Sequence, residues 1–205
     1  MRIETITRTI YKFNELTPAA QYKAWQNGPD FSGEHDEQYQ ATLAAFEKAF
    51  DIKVRNYNVG YPGTTFFLEK TGQAENCPEN DPLRLARFIW NNYAARISKG
   101  KYYSTPGRYI DGKYSYKKRY SKTTFEMDNC PLTGWCIDHD ILQPVLDCLR
   151  YKRFYSSYDE LMYNCLVSFF EAWESEIDNL NSFEYFMEWV DDNDVEFLEN
   201  GEIYE

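Results

Sequence analysis

Apolar positions along the chain recur at helical spacing over most of its length, with a few stretches of alternation between. The opening "MRIETITRTIYKF" alternates β-branched and polar residues, which predicts a strand over residues 2–13. "ELTPAAQYKAWQNG" then predicts a helix: Thr17 as its N-cap, Pro18 in the first helical position, and Asn27-Gly28 as its stop. In 35–50, Tyr39, Leu43, Phe46 and Phe50 fall three and four residues apart, the mark of a second amphipathic helix. "IKVRNYNV" and "TTFFLEK" read as two strands joined by a turn at Gly60-Tyr61-Pro62-Gly63, and residues 71–81 as a loop. A helix over 82–98 presents Leu85, Ile89, Tyr93 and Ile97 as one stripe.

The second half continues the alternation of hairpins and helices. Asp111-Gly112 is a hairpin turn signal between strands at 101–110 and 113–126. "DNCPLTGWCIDHDIL" is turn-rich and leads to a short helix at 139–150. Ser157 with Glu160 forms a capping box for a long helix over 158–180, whose buried stripe is Leu161, Cys165, Phe169, Trp173, Ile177 and Leu180. Ser182 caps a last helix, 183–191, and Asn200-Gly201 turns a terminal hairpin between "VEFLE" and "EIYE". The fold class expected is α+β: mixed helices and antiparallel hairpins in a single domain over 1–205. Its sub-regions are an N-terminal part (1–98), a basic Tyr-rich hairpin (99–126) and an acidic helical part (127–205).

Charge sharpens this picture. The formal net charge is -11, yet it is polarised along the chain. Between Arg84 and Lys122 stand eleven basic residues and one acid, Asp111, whereas beyond Arg153 there is no Lys or Arg and there are fifteen acids. In one reading the two regions neutralise each other within the fold. In another, each meets a partner. The acidic helices would cover a basic groove on another protein through Glu171, Glu174, Asp178, Glu188, Asp191 and Asp192. The basic hairpin would instead track phosphates while its rings stack on bases, through Arg108, Lys113, Tyr114, Tyr116, Lys117, Lys118 and Arg119.

Candidate chemistry is sparse. Cys130, Cys136 and His139, with Cys148 further on, are the most metal-like group, but the Cys spacing is wider than in the common zinc knuckles, so no metal is expected. A Cys136–His139 nucleophile pair rests on adjacency alone, and His35 among acids reads as a solvated or capping residue. Neither a Walker-type nor a dinucleotide Gly-rich loop occurs. The aromatic series Phe169, Trp173, Phe183, Phe186 and Trp189 reads as core. The expectation is a non-enzymatic protein with no cofactor. No apolar run approaches the roughly 18 residues of a membrane span, and no export leader is visible, which points to the cytoplasm and to reduced thiols for the five cysteines.

The stretch "ITRTIYKFNELTPAAQYKAWQN" resembles the Y-x-F-x-E-L-x-x-x-A-x-x-K-A start of a group of small accessory proteins from phages and mobile elements of bacteria. "CPLTGWCIDHDILQPVL", "DELMYNCLVSFFEAWESEI" and "DNDVEFLENGEIYE" are similar to the C-terminal half of that group, while the basic hairpin lies outside the resemblance. What the resemblance implies is a context, a bacterial host cell, and a role: binding and inhibiting a host defence protein such as a CRISPR effector or a restriction nuclease. An antitoxin-like protein is the neighbouring possibility.

Overall fold

The helices form where caps and apolar stripes coincide, and the strands are short ribbons between them. In this computed structural model the described residues are 7–60, 63–77, 80–97 and 130–204, with the backbone alone described for 102–104, 108–110, 113–115 and 118–120. In chain order the elements are β1 (Tyr11–Lys12), α1 (Pro18–Gln26), α2 (Asp36–Phe50), β2 (Ile52–Asn58), β3 (Thr65–Lys70), α3 (Pro82–Asn92) and α4 (Ala94–Ile97). There follow β4 (Tyr102–Ser104), β5 (Arg108–Ile110), β6 (Lys113–Ser115), β7 (Lys118–Tyr120), α5 (Ile137–Tyr151), α6 (Tyr158–Leu180), α7 (Phe183–Asp192) and β8 (Glu196–Phe197). The fold is α+β: every strand pairs antiparallel, in the two-stranded ribbons β1–β8, β2–β3, β4–β7 and β5–β6. Among the described residues no helix is long and apolar enough to cross a membrane.

The chain divides into two compact units. One comprises Met1–Asp36 with Ser175–Glu205, the other Glu37–Glu174. In the first, Tyr11 pairs with Phe197 and Lys12 with Glu196. Phe13, which follows β1 directly, packs its ring against Phe183, Phe186 and Phe197 at centroid distances of 6.0, 5.7 and 5.6 Å. These rings, with Leu16, Ala20, Ala24 and Val190, make the core of this unit. Two glycines let backbone and ring approach it. A Cβ on Gly28 would sit 2.6 Å from Phe186 Cε2, and one on Gly201, whose φ is +83°, would collide with the Ala20 carbonyl.

In the second unit, α2, α3, α5 and α6 share a fully buried centre that includes Phe46, Phe50, Leu85, Ile89, Ile141 and Phe169. The ribbon β2–β3 lays Phe66 on Phe170 at 5.3 Å and Tyr57 on the same ring at 5.5 Å. Side chains from elsewhere satisfy exposed helix carbonyls. Arg96 donates to the Lys48 and Ala49 carbonyls at the end of α2, at 3.3 and 2.9 Å, and the Tyr158 hydroxyl donates to the Phe50 carbonyl. Pro144 stands inside α5 and has no N–H for the carbonyl of Asp140; the Ser168 hydroxyl of α6 donates to that oxygen at 2.8 Å instead. A proline in a helix is thus tolerated because the neighbouring helix replaces the lost donor.

Local signals and structure agree closely at the caps. Thr17 accepts from Ala20 N at 3.3 Å, Ser182 from Tyr185 N at 3.1 Å, and Ser157 from Glu160 N at 3.2 Å. The return arm of the expected box differs, since the Glu160 carboxylate accepts from the backbone and hydroxyl of Ser156. The terminal turn forms too, with Phe197 bridged to Ile203. Three expectations are corrected. Of the strand over 2–13, Tyr11–Lys12 is the strand within the described residues, because β8 offers only two residues of partner; residues 1–6 lie outside the description. The helix over 82–98 breaks at Tyr93, whose φ of -123° ends α3 before the four-residue α4, although Leu85, Ile89, Tyr93 and Ile97 are all buried as the stripe requires. The helix expected at 139–150 begins two residues earlier, at Ile137. The hairpin turn Asp111-Gly112 and residues 121–126 lie outside the described residues, while β4–β7 and β5–β6 nest as successive rungs of the expected hairpin.

Two buried tyrosines give a direct test of this packing. Burial pushes the Tyr93 hydroxyl up to about 12, and by geometry that hydroxyl has no hydrogen-bond partner among the described residues. Tyr158, by contrast, holds the α2 terminus through its bond to Phe50. Tyr93→Phe removes an unsatisfied polar group and is expected to leave stability unchanged or raise it by up to about 1 kcal/mol. Tyr158→Phe strands the Phe50 carbonyl and is expected to cost about 1–2 kcal/mol, both read by urea unfolding.

Candidate functional site

Three places were marked by residue type: the Cys/His segment, the acidic helices and the basic region. The first resolves into a lock around one aspartate. Asp138, fully buried in the first turn of α5, accepts through Oδ2 from the backbone N–H groups of Leu132, Thr133 and Gly134 at 2.8, 2.8 and 3.2 Å. Its Oδ1 accepts from the Thr133 hydroxyl at 2.7 Å and, more weakly, from that of Thr42 at 3.4 Å. Three consecutive N–H groups converging on one oxygen make an anion nest, here filled by the protein's own carboxylate. It pins the loop 131–135 to α5 and to Thr42 of α2. The local signal for it was the turn Pro131–Gly134 with an acid four residues on, but burial and the Thr42 contact come from α2.

The cysteines around it do not assemble. Cys136 is exposed at the N-cap of α5 and His139 follows in the first turn; among the described residues no hydrogen bond joins the two side chains. Cys148 lies nine residues beyond His139 on the same helix, roughly 13 Å along its axis, too far to share an ion with it. Among the described residues no group of three His, Cys, Asp or Glu side chains could hold a metal. Burial raises the Cys148 thiol to about 11 and lifts that of Cys165 well above its ordinary value. Both buried sulfurs therefore stay protonated near neutrality and act as small apolar groups.

The acidic residues separate between the two units. Glu171 and Glu174 belong to the unit Glu37–Glu174, and Glu174 is half-buried and accepts from the Thr64 hydroxyl at 3.5 Å. Asp178, Glu188, Asp191 and Asp192 belong to the other unit and are exposed. On α7, Glu184, Glu188, Asp191 and Asp192 share the face opposite the buried Phe186 and Val190, and none makes an ion pair among the described residues. The ion pairs that acids of the C-terminal region do make run to Lys12, Lys23 and Lys70: Lys12 to Asp194 at 2.8 Å and to Glu196 at 3.3 Å, Lys23 to Glu202 at 3.9 Å, Lys70 to Asp159 at 3.0 Å. His35 meets Glu176 at 2.9 Å, and Tyr185, pushed up to about 12 by the hydrogen bond that it donates to Glu34, closes the same side of its unit.

Charge follows the division of the chain. The unit Met1–Asp36 with Ser175–Glu205 holds sixteen acids and four bases, a formal -12; Glu37–Glu174 holds seventeen acids and eighteen bases, a formal +1. Within the second, Arg84 pairs with Asp81 and Arg96 with Asp51 while capping α2. The backbone ladders place Arg108 opposite Ser115, Lys113 opposite Ile110, Tyr114 opposite Tyr109, Lys118 opposite Ser104 and Arg119 opposite Tyr103; Tyr116 and Lys117 lie outside the described residues. Arg87 on α3 and Arg150, Lys152 and Arg153 around the end of α5 are exposed and make no ion pair among the described residues. The last three were not anticipated, although "LRYKRFY" carries the same basic-aromatic character as the hairpin.

Comparison of the chain with protein-family models, with curated proteins and with solved structures finds no match.

Two measurements check these assignments. Asp138→Ala leaves the half-buried N–H groups of Leu132 and Thr133, and that of Gly134, without their acceptor and is expected to cost about 1–3 kcal/mol in denaturant unfolding. Alkylation near pH 8 is expected to modify Cys136 in the folded protein, with Cys148 and Cys165 modified only on unfolding, as read by peptide mass spectrometry.

Proposed function

We propose that this is a binding protein, without catalysis of its own, that docks through the acidic face of α7 onto the basic groove of a nucleic-acid-handling protein and blocks it. The observation that carries the reading is the row Glu184, Glu188, Asp191 and Asp192: exposed, on one face, free of ion pairs among the described residues, in a unit of formal charge -12. Four carboxylates over nine residues of helix span about 12 Å of axis, an average of about 4 Å per charge, comparable to the roughly 3.4 Å per phosphate along a nucleic-acid strand. A groove shaped for phosphates would meet a comparable line of charge. The resemblance to phage accessory proteins suggests which groove: that of a host defence nuclease, of CRISPR or restriction type.

A helix presented this way has a rigid back. Phe186 and Val190 anchor α7 in its core, and Ser182 caps its start. The acids therefore project from a fixed scaffold, which limits the ordering entropy of docking. Apolar anchoring at the rim is available from the half-buried Met187 and Trp189.

The test is a four-fold reversal, Glu184→Lys, Glu188→Lys, Asp191→Lys and Asp192→Lys, in the full chain, with helicity checked by circular dichroism. Wild-type protein is expected to retain a basic partner from nuclease-treated host lysate, with affinity that falls as salt rises, and the reversed variant to lose it by about 100-fold or more. Retention of the same partner by the folded variant would overturn the reading. Capture that disappears on nuclease treatment would shift the assignment to nucleic-acid binding through the hairpin residues.

A further inference from the structure

A second surface stands apart from the acidic one in residues and chemistry, within the unit Glu37–Glu174. Helix α3 turns Leu85 and Ile89 into the core, and its adjacent stripe, Leu83, Ala86, Arg87 and Trp90, borders a groove of about 360 Å³. The other wall is the end of α5, Leu149 and Lys152. Lys152 holds the left-handed C-cap position at φ 56°, where its N–H donates to the Cys148 carbonyl at 2.9 Å, so the wall ends abruptly there. Leu83 is 53% exposed and Trp90 48%, large apolar side chains half bare at one rim. Isolated exposed apolar residues are ordinary; several around one concavity mark a contact surface.

We infer that this groove docks an acidic peptide segment of a protein partner, with one large apolar side chain of that segment as its anchor. Charge supplies the first argument. Arg87 and Lys152 flank the groove without ion pairs among the described residues, and Arg150 and Arg153 next to them have none either. The Arg153 guanidinium lies 5.4 Å from the centre of the Phe154 ring, which orients a cation without neutralising it. The lining supplies the second. Leu83, Ala86, Trp90 and Leu149 are apolar, and Asn91 is the uncharged polar residue among those that line the groove. A nucleobase seated there would leave most of its polar edge desolvated and without partners, which costs free energy. A Leu or Phe side chain meets no such cost. A polyanion also feels the chain's net charge of -11 along its whole length, whereas a short peptide brings few charges to a local cationic rim.

The experiment is a fluorescence-anisotropy titration of the full chain with a labelled, short Asp/Glu-rich peptide bearing one central Phe. The result expected is saturable binding, weakened about tenfold or more when the peptide Phe becomes Ser, and likewise by Trp90→Ala or Arg87→Glu. Leu83→Ala serves as a second variant should Trp90→Ala disturb the fold. Any binding of a Lys-rich peptide with the same Phe is expected to be unaffected by Trp90→Ala and Arg87→Glu, because a basic peptide is drawn to the acidic face of α7 and not to the groove. Absence of saturable binding, or binding that all three variants leave unchanged, overturns the proposal. So does an oligothymidylate probe that binds and is lost on Arg87→Glu while the acidic peptide shows no binding, since the groove would then serve nucleic acid.

Discussion

The short pairing of Tyr11–Lys12 with Glu196–Phe197 is the contact through which the acidic tail acquires its place. Two residues of ribbon could not hold by themselves. What sustains them is Phe13, immediately after β1, enclosed by Phe183, Phe186 and Phe197. Burying one such ring contributes about 2–3 kcal/mol, and each well-placed aromatic pair adds about 0.5–1.5 kcal/mol. Glycine completes the arrangement where a side chain would collide, at Gly28 against Phe186 and at Gly201 against the Ala20 carbonyl. The N-terminal segment and the last two helical segments thereby form one unit, and their acids are gathered with only four bases. A surface this unbalanced is held together by aromatic packing rather than by internal neutralisation.

The other unit manages its polarity differently. The end of α2 and the proline inside α5 would leave carbonyls unpaired, and donors from distant elements meet them: Arg96 and Tyr158 at the end of α2, Ser168 at Pro144. Asp138 does the converse, supplying an acceptor to three loop N–H groups. These bonds explain why two conspicuous features of the segment 130–153, its prolines and its buried acid, are compatible with a packed helix. They also explain why Arg96, counted among the basic residues of the central region, is committed to the fold.

Much of the secondary structure was legible because it is encoded locally. Thr17-Pro18, Ser157 with Glu160, and Ser182 each mark a helix start within a few residues, and the stripes Tyr39–Leu43–Phe46–Phe50 and Leu161–Cys165–Phe169–Trp173 point inward as their spacing requires. What was not legible depends on residues far apart in the chain. Strand length at residues 2–13 is set by a partner nearly two hundred positions away. The break at Tyr93 has no Gly or Pro to announce it. The candidate sites follow the same division: six acids chosen as one surface fall in two units, and the Cys/His group disperses because a helix carries Cys148 away from His139. The groove of Arg87, Trp90 and Lys152 joins segments some sixty residues apart, and no single window contains it.

The proposed docking surface is the acidic face of α7. The most direct measurement is an amide hydrogen-exchange footprint of the full chain alone and bound to the partner that it retains from nuclease-treated lysate. Slowed exchange in Phe183–Asp192 on binding is the result predicted. Unchanged exchange there, with protection confined to segments of the unit Glu37–Glu174, would contradict it.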